Sequence, residues 1–85
     1  MCQGIVDVQA TDDYKLVLTF ENRERRQFDM APYLHVGRFS ELRDITVFKK
    51  ASISFDTVEW ENGLDIDPEF LYEKSEAIAQ PALIA

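Results

Sequence analysis

Residues 14–20, Tyr-Lys-Leu-Val-Leu-Thr-Phe, carry the clearest strand pattern in this chain and decide its fold class. Large side chains occupy every second position of the stretch: Tyr14, Leu16, Leu18 and Phe20. Because successive side chains of a strand point to opposite faces, these four share one face of the predicted strand. We therefore place Leu16, Leu18 and Phe20 in the core.

The segments on either side of this stretch extend it into an antiparallel sheet. Residues 5–11 mix apolar and polar side chains and predict a preceding strand, with Asp12-Asp13 as the turn. Residues 25–28 predict a following strand, with Asn22-Arg23 at the tip of the hairpin. Arginine is costly in the left-handed conformation that a two-residue turn requires, so we expect a longer loop.

The middle of the chain predicts one short helix after a connecting segment over residues 29–37. Ser40 can cap a helix over residues 41–44, because a serine side chain accepts a hydrogen bond from the first turn. Phe39 and Leu42 are then expected to face inward. The middle helix is the weakest pattern among the predicted elements, since it spans a single turn.

Two short strands are predicted next, over residues 53–55 and 58–60, around a turn at Asp56-Thr57. Asn62-Gly63 is a strong turn signal and ends the second of these strands. Trp60 alternates with polar neighbours, which favours a place in the core. The alternative is an exposed contact residue, since tryptophan is over-represented in binding hot spots.

The terminal helix is the best specified element. Asp67 is a natural N-cap, and Pro68 suits the first helical position, where its missing N–H costs nothing. Ile66 and Leu71 have the spacing of a hydrophobic staple, so both are placed in the core. Pro81 is expected to stop the helix.

The predicted fold is therefore α+β, with strands and helices in the order β-β-β-α-β-β-α. A small antiparallel sheet of about five strands packs against a short middle helix and a C-terminal helix. A length of 85 residues predicts a single domain over residues 1–85, and residues 80–85 are predicted to form a mobile tail. The predicted core residues are Leu16, Leu18, Phe20, Trp60, Ile66 and Leu71.

Composition indicates a soluble protein of the cytoplasm. The single cysteine, Cys2, cannot form an intramolecular disulfide, which favours a reducing compartment. No apolar run approaches the roughly 18 residues of a membrane span, so no membrane partner is expected. The isolated glycines Gly4, Gly37 and Gly63 form no phosphate loop, and no cofactor is expected.

The charge of the chain is strongly asymmetric. The net charge is −7, and residues 51–85 hold eight acids with Lys74 as their one base, whereas residues 1–50 are neutral. Such a balance disfavours direct binding of nucleic acid, whose phosphates need a basic surface. Five of the acids lie at or on the predicted terminal helix: Asp65, Asp67, Glu69, Glu73 and Glu76. We interpret them either as a solvated face or as a binding surface for a basic protein.

No catalytic or metal site is predicted. His35 is the one histidine, and no serine or acid has the spacing of a nucleophile–base pair with it. Asp65-x-Asp67-x-Glu69 with Glu76 at the twelfth position resembles a calcium loop. However, Phe70 stands where such a loop needs glycine, and a helix is expected to begin inside it.

A longer run of residues resembles a known family. The run Trp60-x-Asn62-Gly63-x-Asp65-Ile66-x-Pro68-x-x-Leu71-Tyr72 is its specific part, and the likeness extends over about residues 5–73. It resembles small bacterial proteins that share a domain of unknown function. That resemblance implies a compact α+β domain, alone or ahead of a helix-turn-helix, sometimes encoded beside another small protein as in toxin–antitoxin pairs. It implies no catalytic residues.

Two functions therefore remain open at the level of the sequence. The first is a non-enzymatic protein-interaction domain, an antitoxin-like partner of a basic protein. The second is a small-molecule-sensing or regulatory domain that acts with a DNA-binding partner. A pocket lined by aromatic side chains would favour the second, whereas an acidic face beside exposed apolar residues would favour the first. The sequence predicts neither the partner nor the oligomeric state.

Overall fold

The computed structural model describes residues 4–78 and shows two small antiparallel sheets. The first has the order β1-β2-β3-β7, with β1 at Ile5–Ala10, β2 at Lys15–Phe20, β3 at Arg25–Asp29 and β7 at Glu76–Ala77. The second has the order β4-β5-β6, with β4 at Ser52–Ser54, β5 at Thr57–Glu59 and β6 at Asp65–Ile66. The α+β class is as predicted, but seven strands in two sheets replace one sheet of about five.

The alternation in β2 produces a one-sided sheet. Leu16, Leu18 and Phe20 are fully buried, and Leu16 is paired with Phe28 of β3, which is also buried. Residues at the intervening positions of β1, β2 and β3 are polar or half-exposed. One face therefore covers the core and the other faces solvent, as the period of two predicts.

The β2–β3 hairpin has a three-residue loop. The Phe20 N–H donates to the Glu24 carbonyl at 2.9 Å, which leaves residues 21–23 between the paired ends. The loop therefore exceeds two residues, as predicted. Arg23 nevertheless adopts, with φ 71°, the left-handed conformation that the sequence analysis treats as costly for arginine. The Asn22 side chain accepts from the Glu24 N–H at 2.9 Å and stabilises the turn.

The middle segment differs from the predicted single helix. A 3₁₀ helix spans Ala31–Tyr33, a second spans Gly37–Arg43, and α1 spans Ile45–Phe48. Ser40 lies inside the second 3₁₀ helix and caps nothing. Asp44 is the N-cap of α1 because its carboxylate accepts from the Thr46 N–H at 3.0 Å. Leu42 is fully buried and Phe39 partly so.

The β4–β5 hairpin corrects the predicted strand over residues 53–55. Ser54 pairs with Thr57, so Phe55 and Asp56 form a two-residue turn and Phe55 lies outside the strand. The turn is displaced because the Ile5 N–H of β1 donates to the Asp56 carbonyl at 2.9 Å, which fixes the position of the tip.

The terminal helix α2 spans Pro68–Lys74, which is shorter than predicted. Asp67 is its N-cap and accepts from the Glu69 N–H at 3.0 Å, as predicted. The helix ends because the chain leaves it to form β7, whose Glu76 pairs with Gln27 of β3. The prediction that Glu76 lies at or on the helix is therefore wrong.

A single buried core joins the two sheets and the helices. It contains all six residues that the sequence places there: Leu16, Leu18, Phe20, Trp60, Ile66 and Leu71. Trp60 is 2% exposed, and its indole N–H donates to the Phe48 carbonyl at 2.9 Å. The predicted mobile tail over residues 80–85 lies outside the described residues.

Candidate protein-interaction surface

Four of the five predicted site residues lie around the start of α2. Asp65 is in β6, Asp67 caps the helix, and Glu69 and Glu73 are one helical turn apart within it. All four side chains are exposed. We call Asp65, Asp67, Glu69 and Glu73 the acidic surface.

The acidic surface groups four exposed carboxylates that have no cationic neighbour in the part of the chain that the structure describes. Five carboxylates elsewhere do lie within 4 Å of a basic group, for example Asp12 at 2.6 Å from Lys49 and Glu41 at 3.2 Å from Arg38. Within residues 4–78, no salt bridge involves any member of the acidic surface. Its one described side-chain bond is the helix cap of Asp67.

Glu76, the fifth predicted residue, belongs to a different region. It lies in β7 and lines a cavity of about 180 Å³ on the solvent side of the first sheet. The other lining residues come from β2, β3 and α2: Lys15, Gln27, Asp29 and Lys74. Two cationic and two anionic side chains therefore line this partly open cavity. The cavity contains no aromatic side chain.

A polar network that the sequence did not reveal ties α2 to the hairpin. The Arg26 guanidinium donates to the Ser75 hydroxyl and the Ser75 carbonyl, both at 2.7 Å, and to Glu24 at 2.5 Å. The Tyr72 hydroxyl donates to Glu24 at 2.6 Å, and the Arg26 guanidinium carbon lies 4.4 Å from the centroid of the Tyr72 ring. No local pattern could indicate it, because its two halves are 48 residues apart.

This network changes the titration of its members. The hydrogen bond from Tyr72, and then the one from Arg26, hold the pKa of the Glu24 carboxyl below its usual range. The same bond to Glu24 raises the pKa of the Tyr72 hydroxyl. Because every group already has a partner within the chain, we assign the network a role in stability.

The stretch from Trp60 to Tyr72, whose residues resemble a known family, also stabilises the fold. Asn62 bonds in three directions: its side chain donates to Glu41 at 2.8 Å and accepts from the Leu64 N–H at 3.2 Å, and its carbonyl accepts from Arg38 at 2.9 Å. Gly63 has φ 88°, a conformation that residues with a side chain rarely adopt. The Asn-Gly pair therefore shapes the β5–β6 turn and leaves no free catalytic group.

The exposed apolar residues add a feature that the sequence interpretation missed. Phe55 is 96% exposed at the tip of the β4–β5 hairpin, whereas Val6 in β1 is 56% exposed and Val36 is 48% exposed. The adjacent Asp56 is the signal in the sequence that could have indicated an exposed Phe55. The turn was predicted at residues 56–57, whereas it lies at residues 55–56.

The structure brings no catalytic or metal-binding set together. His35 is exposed in the segment between the two 3₁₀ helices. Among residues 4–78, no three His, Cys, Asp or Glu side chains are grouped so as to hold a metal ion. No helix in this part of the chain has the length and apolar character needed to cross a membrane.

Comparison with known proteins identifies a family. The model of a protein family described as a protein of unknown function (DUF2442) matches residues 5–77. No curated protein and no solved structure matches the chain. The matched residues include both sheets, α2 and the whole acidic surface.

Proposed function

The chain belongs to the DUF2442 family, and from that premise we propose that it is a non-enzymatic protein-interaction domain whose acidic surface binds a basic protein. The observation that carries the proposal is the unpaired state of Asp65, Asp67, Glu69 and Glu73 among the described residues. An antitoxin-like role, in which the domain covers a basic partner, is the specific form that we propose.

The electrostatic argument rests on Glu69 and Glu73. Carboxylates at i and i+4 of a helix repel each other by a few tenths of a kcal/mol, a cost that a cationic partner removes. Charges on one face of a small protein also attract an oppositely charged partner over a distance and speed the encounter. The five carboxylates that form salt bridges elsewhere attract a partner less, because a neighbouring cation already offsets their charge.

The test begins with co-purification from the native host through a C-terminal tag, followed by affinity measurements with the protein recovered. Glu69→Gln/Glu73→Gln should weaken binding about fivefold at low salt, since two exposed ion pairs contribute roughly 1 kcal/mol together. The difference should shrink as salt rises, because exposed charges are screened.

The matched control is Asp7→Asn/Glu76→Gln, which removes the same number of charges from positions outside the acidic surface. Glutamine retains the helix propensity of glutamate at positions 69 and 73, and Asp7 and Glu76 are exposed in strands, so neither double variant should unfold. Equal affinities for the wild type and Glu69→Gln/Glu73→Gln at low salt would refute the proposal. An equal loss in both double variants would show that only net charge matters.

A second candidate function rests on the cavity at Glu76. Lys15 and Lys74 can attract a carboxylate while Asp29 and Glu76 attract an ammonium group, so the cavity suits a small zwitterion. A sensing or regulatory domain that acts with a DNA-binding partner would use such a site. A saturable thermal shift with free glutamate, absent in Lys74→Gln, would support it, and its absence in the wild type would exclude this zwitterion.

A further inference from the structure

The β4–β5 hairpin presents a phenylalanine in an unusual position. Phe55 is the first residue of the two-residue turn between Ser54 and Thr57, with φ 58°. Its side chain is 96% exposed. At this position of a tight hairpin turn, glycine adopts a positive φ without steric strain.

Phe55 is therefore expected to lower both the stability and the solubility of the protein. A bulky side chain at positive φ is strained, and strained residues in well-folded proteins cluster at functional sites. The ring is outside the core, so packing within the described chain does not offset that strain. Exposed aromatic side chains are common anchors in protein interfaces.

The turn is held firmly in place by the start of β1. The Ile5 N–H donates to the Asp56 carbonyl at 2.9 Å, and the Gly4 N–H donates to the Glu21 carboxylate at 3.3 Å. A Cβ at Gly4 would lie 2.8 Å from the Glu21 carboxylate and 3.3 Å from the Asp56 Cβ, so Glu21 and Asp56 approach the same point of the chain. The turn thus holds the exposed Phe55 ring with Asp56 as its neighbour in the chain and the Glu21 carboxylate close to Asp56, in a pre-organised arrangement.

We propose that Phe55 anchors a partner protein segment that presents apolar side chains next to lysine or arginine. Asp56, the second residue of the turn, and Glu21, whose carboxylate accepts from the Gly4 N–H, supply the complementary charge. The same carboxylates disfavour an anionic lipid surface or nucleic acid, and a net charge of −7 disfavours a second copy of this chain.

This site shares no residue with the acidic surface, although the hydrogen bond from the Thr57 hydroxyl to the Ile66 carbonyl places Asp67 near the turn. Separate variants of Phe55 and of Glu69 and Glu73 therefore test the two proposals independently. The probe is a labelled peptide of about 18 residues, long enough to form a helix, with leucine at i, i+3 and i+4 and lysine elsewhere. A comparison peptide has serine in place of every leucine. The second peptide measures charge attraction alone.

The wild type should bind the leucine peptide at least about tenfold more tightly than the serine peptide, as expected when a hot-spot contact forms. Phe55→Gly should abolish that difference, whereas Glu69→Gln/Glu73→Gln should weaken both peptides equally and preserve it. Val36→Ser, which removes an exposed apolar side chain elsewhere, should also preserve it. Asp56→Asn should reduce the salt dependence of leucine-peptide binding.

Stability supplies the second measurement. Phe55→Gly should unfold at the same or a higher urea concentration than the wild type, because it relieves strain and removes no packing. A midpoint lowered by more than the extra conformational entropy of glycine in the unfolded chain would mean that the ring packs within the chain and would overturn the proposal. So would equal affinity of Phe55→Gly and wild type for the leucine peptide, or no preference of the wild type for that peptide.

Two further results would show that Phe55 binds something other than a basic protein segment, and either would overturn the proposal. One is Phe55-dependent binding to vesicles of phosphatidylcholine and phosphatidylglycerol. The other is self-association of the wild type that Phe55→Gly abolishes, measured by sedimentation at several protein concentrations.

Discussion

Trp60 connects the helical and the sheet parts of the core. Its ring stacks on Phe48 of α1 with centroids 6.1 Å apart, while its indole N–H bonds to the carbonyl of the same residue. The tryptophan follows β5 directly, so one side chain holds α1 against the second sheet. Both the apolar area and the satisfied indole N–H contribute to stability.

Replacement of Trp60 by alanine should lower the free energy of unfolding by about 3–5 kcal/mol, the cost of a large cavity in a core. A domain of this size has a total stability not far above that value, so the variant should be largely unfolded at physiological temperature. Urea denaturation followed by circular dichroism measures the change. Trp60→Phe, which retains a ring, should cost less, and an unchanged midpoint in Trp60→Ala would contradict the assignment.

Glu24 should make stability depend on pH. Its pKa is lowered in the folded protein by Tyr72 and Arg26, so the stabilisation is complete above the unfolded carboxyl value of about 4.3. It is lost as the pH falls through the lower, folded value. Glu24→Gln keeps an acceptor for Tyr72 but cannot titrate, so its stability should fall less steeply below the unfolded carboxyl value of about 4.3. Parallel pH profiles for the two proteins would contradict this.

At the scale of elements, α2 shows how much a local pattern can specify. The N-cap at Asp67, the proline at the first position and the burial of Ile66 and Leu71 all follow from nearest-neighbour chemistry. The end of the helix does not, because β7 forms by pairing with β3, some 50 residues earlier in the chain. A helix end predicted from local propensity cannot account for the pairing of β7 with a strand so distant in the chain.

Asp67→Ala should cost about 1 kcal/mol of stability, because the Glu69 N–H loses its side-chain acceptor. Asp67→Asn retains the acceptor and removes the charge, so it should remain close to the wild type. The comparison separates capping from the contribution of Asp67 to the acidic surface. Equal midpoints for the alanine and asparagine variants in thermal denaturation would show that the cap is unimportant.

At the scale of the whole molecule, the arrangement of two sheets could not be derived from the sequence. The alternation in β2 predicts the buried face, and Asn62-Gly63 predicts a turn, but neither indicates that β4 to β6 form a sheet of their own. Their place beside β1 depends on contacts between segments about 50 residues apart, such as Ile5 with Asp56. Part of the acidic surface could be predicted, because Asp67 is the N-cap of α2 and Glu69 and Glu73 lie one turn apart within that helix.

The whole molecule should attract divalent cations only diffusely. Its net charge of −7 draws cations, but the apparent calcium loop from Asp65 to Glu76 is occupied by α2, and Glu76 lies in another element. Calorimetric titration with calcium and magnesium should therefore show weak binding without a saturable site. Micromolar affinity that Asp65→Asn removes would contradict this expectation.

The contact between Gly4 and Asp56 has a practical consequence for the choice of fusion proteins. Any polypeptide fused ahead of Gly4 emerges beside the Phe55 turn, since Ile5 bonds directly to Asp56. An N-terminal affinity tag or fluorescent protein would crowd that turn and compete with whatever binds there. Attachment after residue 78 starts instead from the far edge of the first sheet, next to β3. Bait proteins with the two tag positions should thus recover different sets of proteins from the same cells.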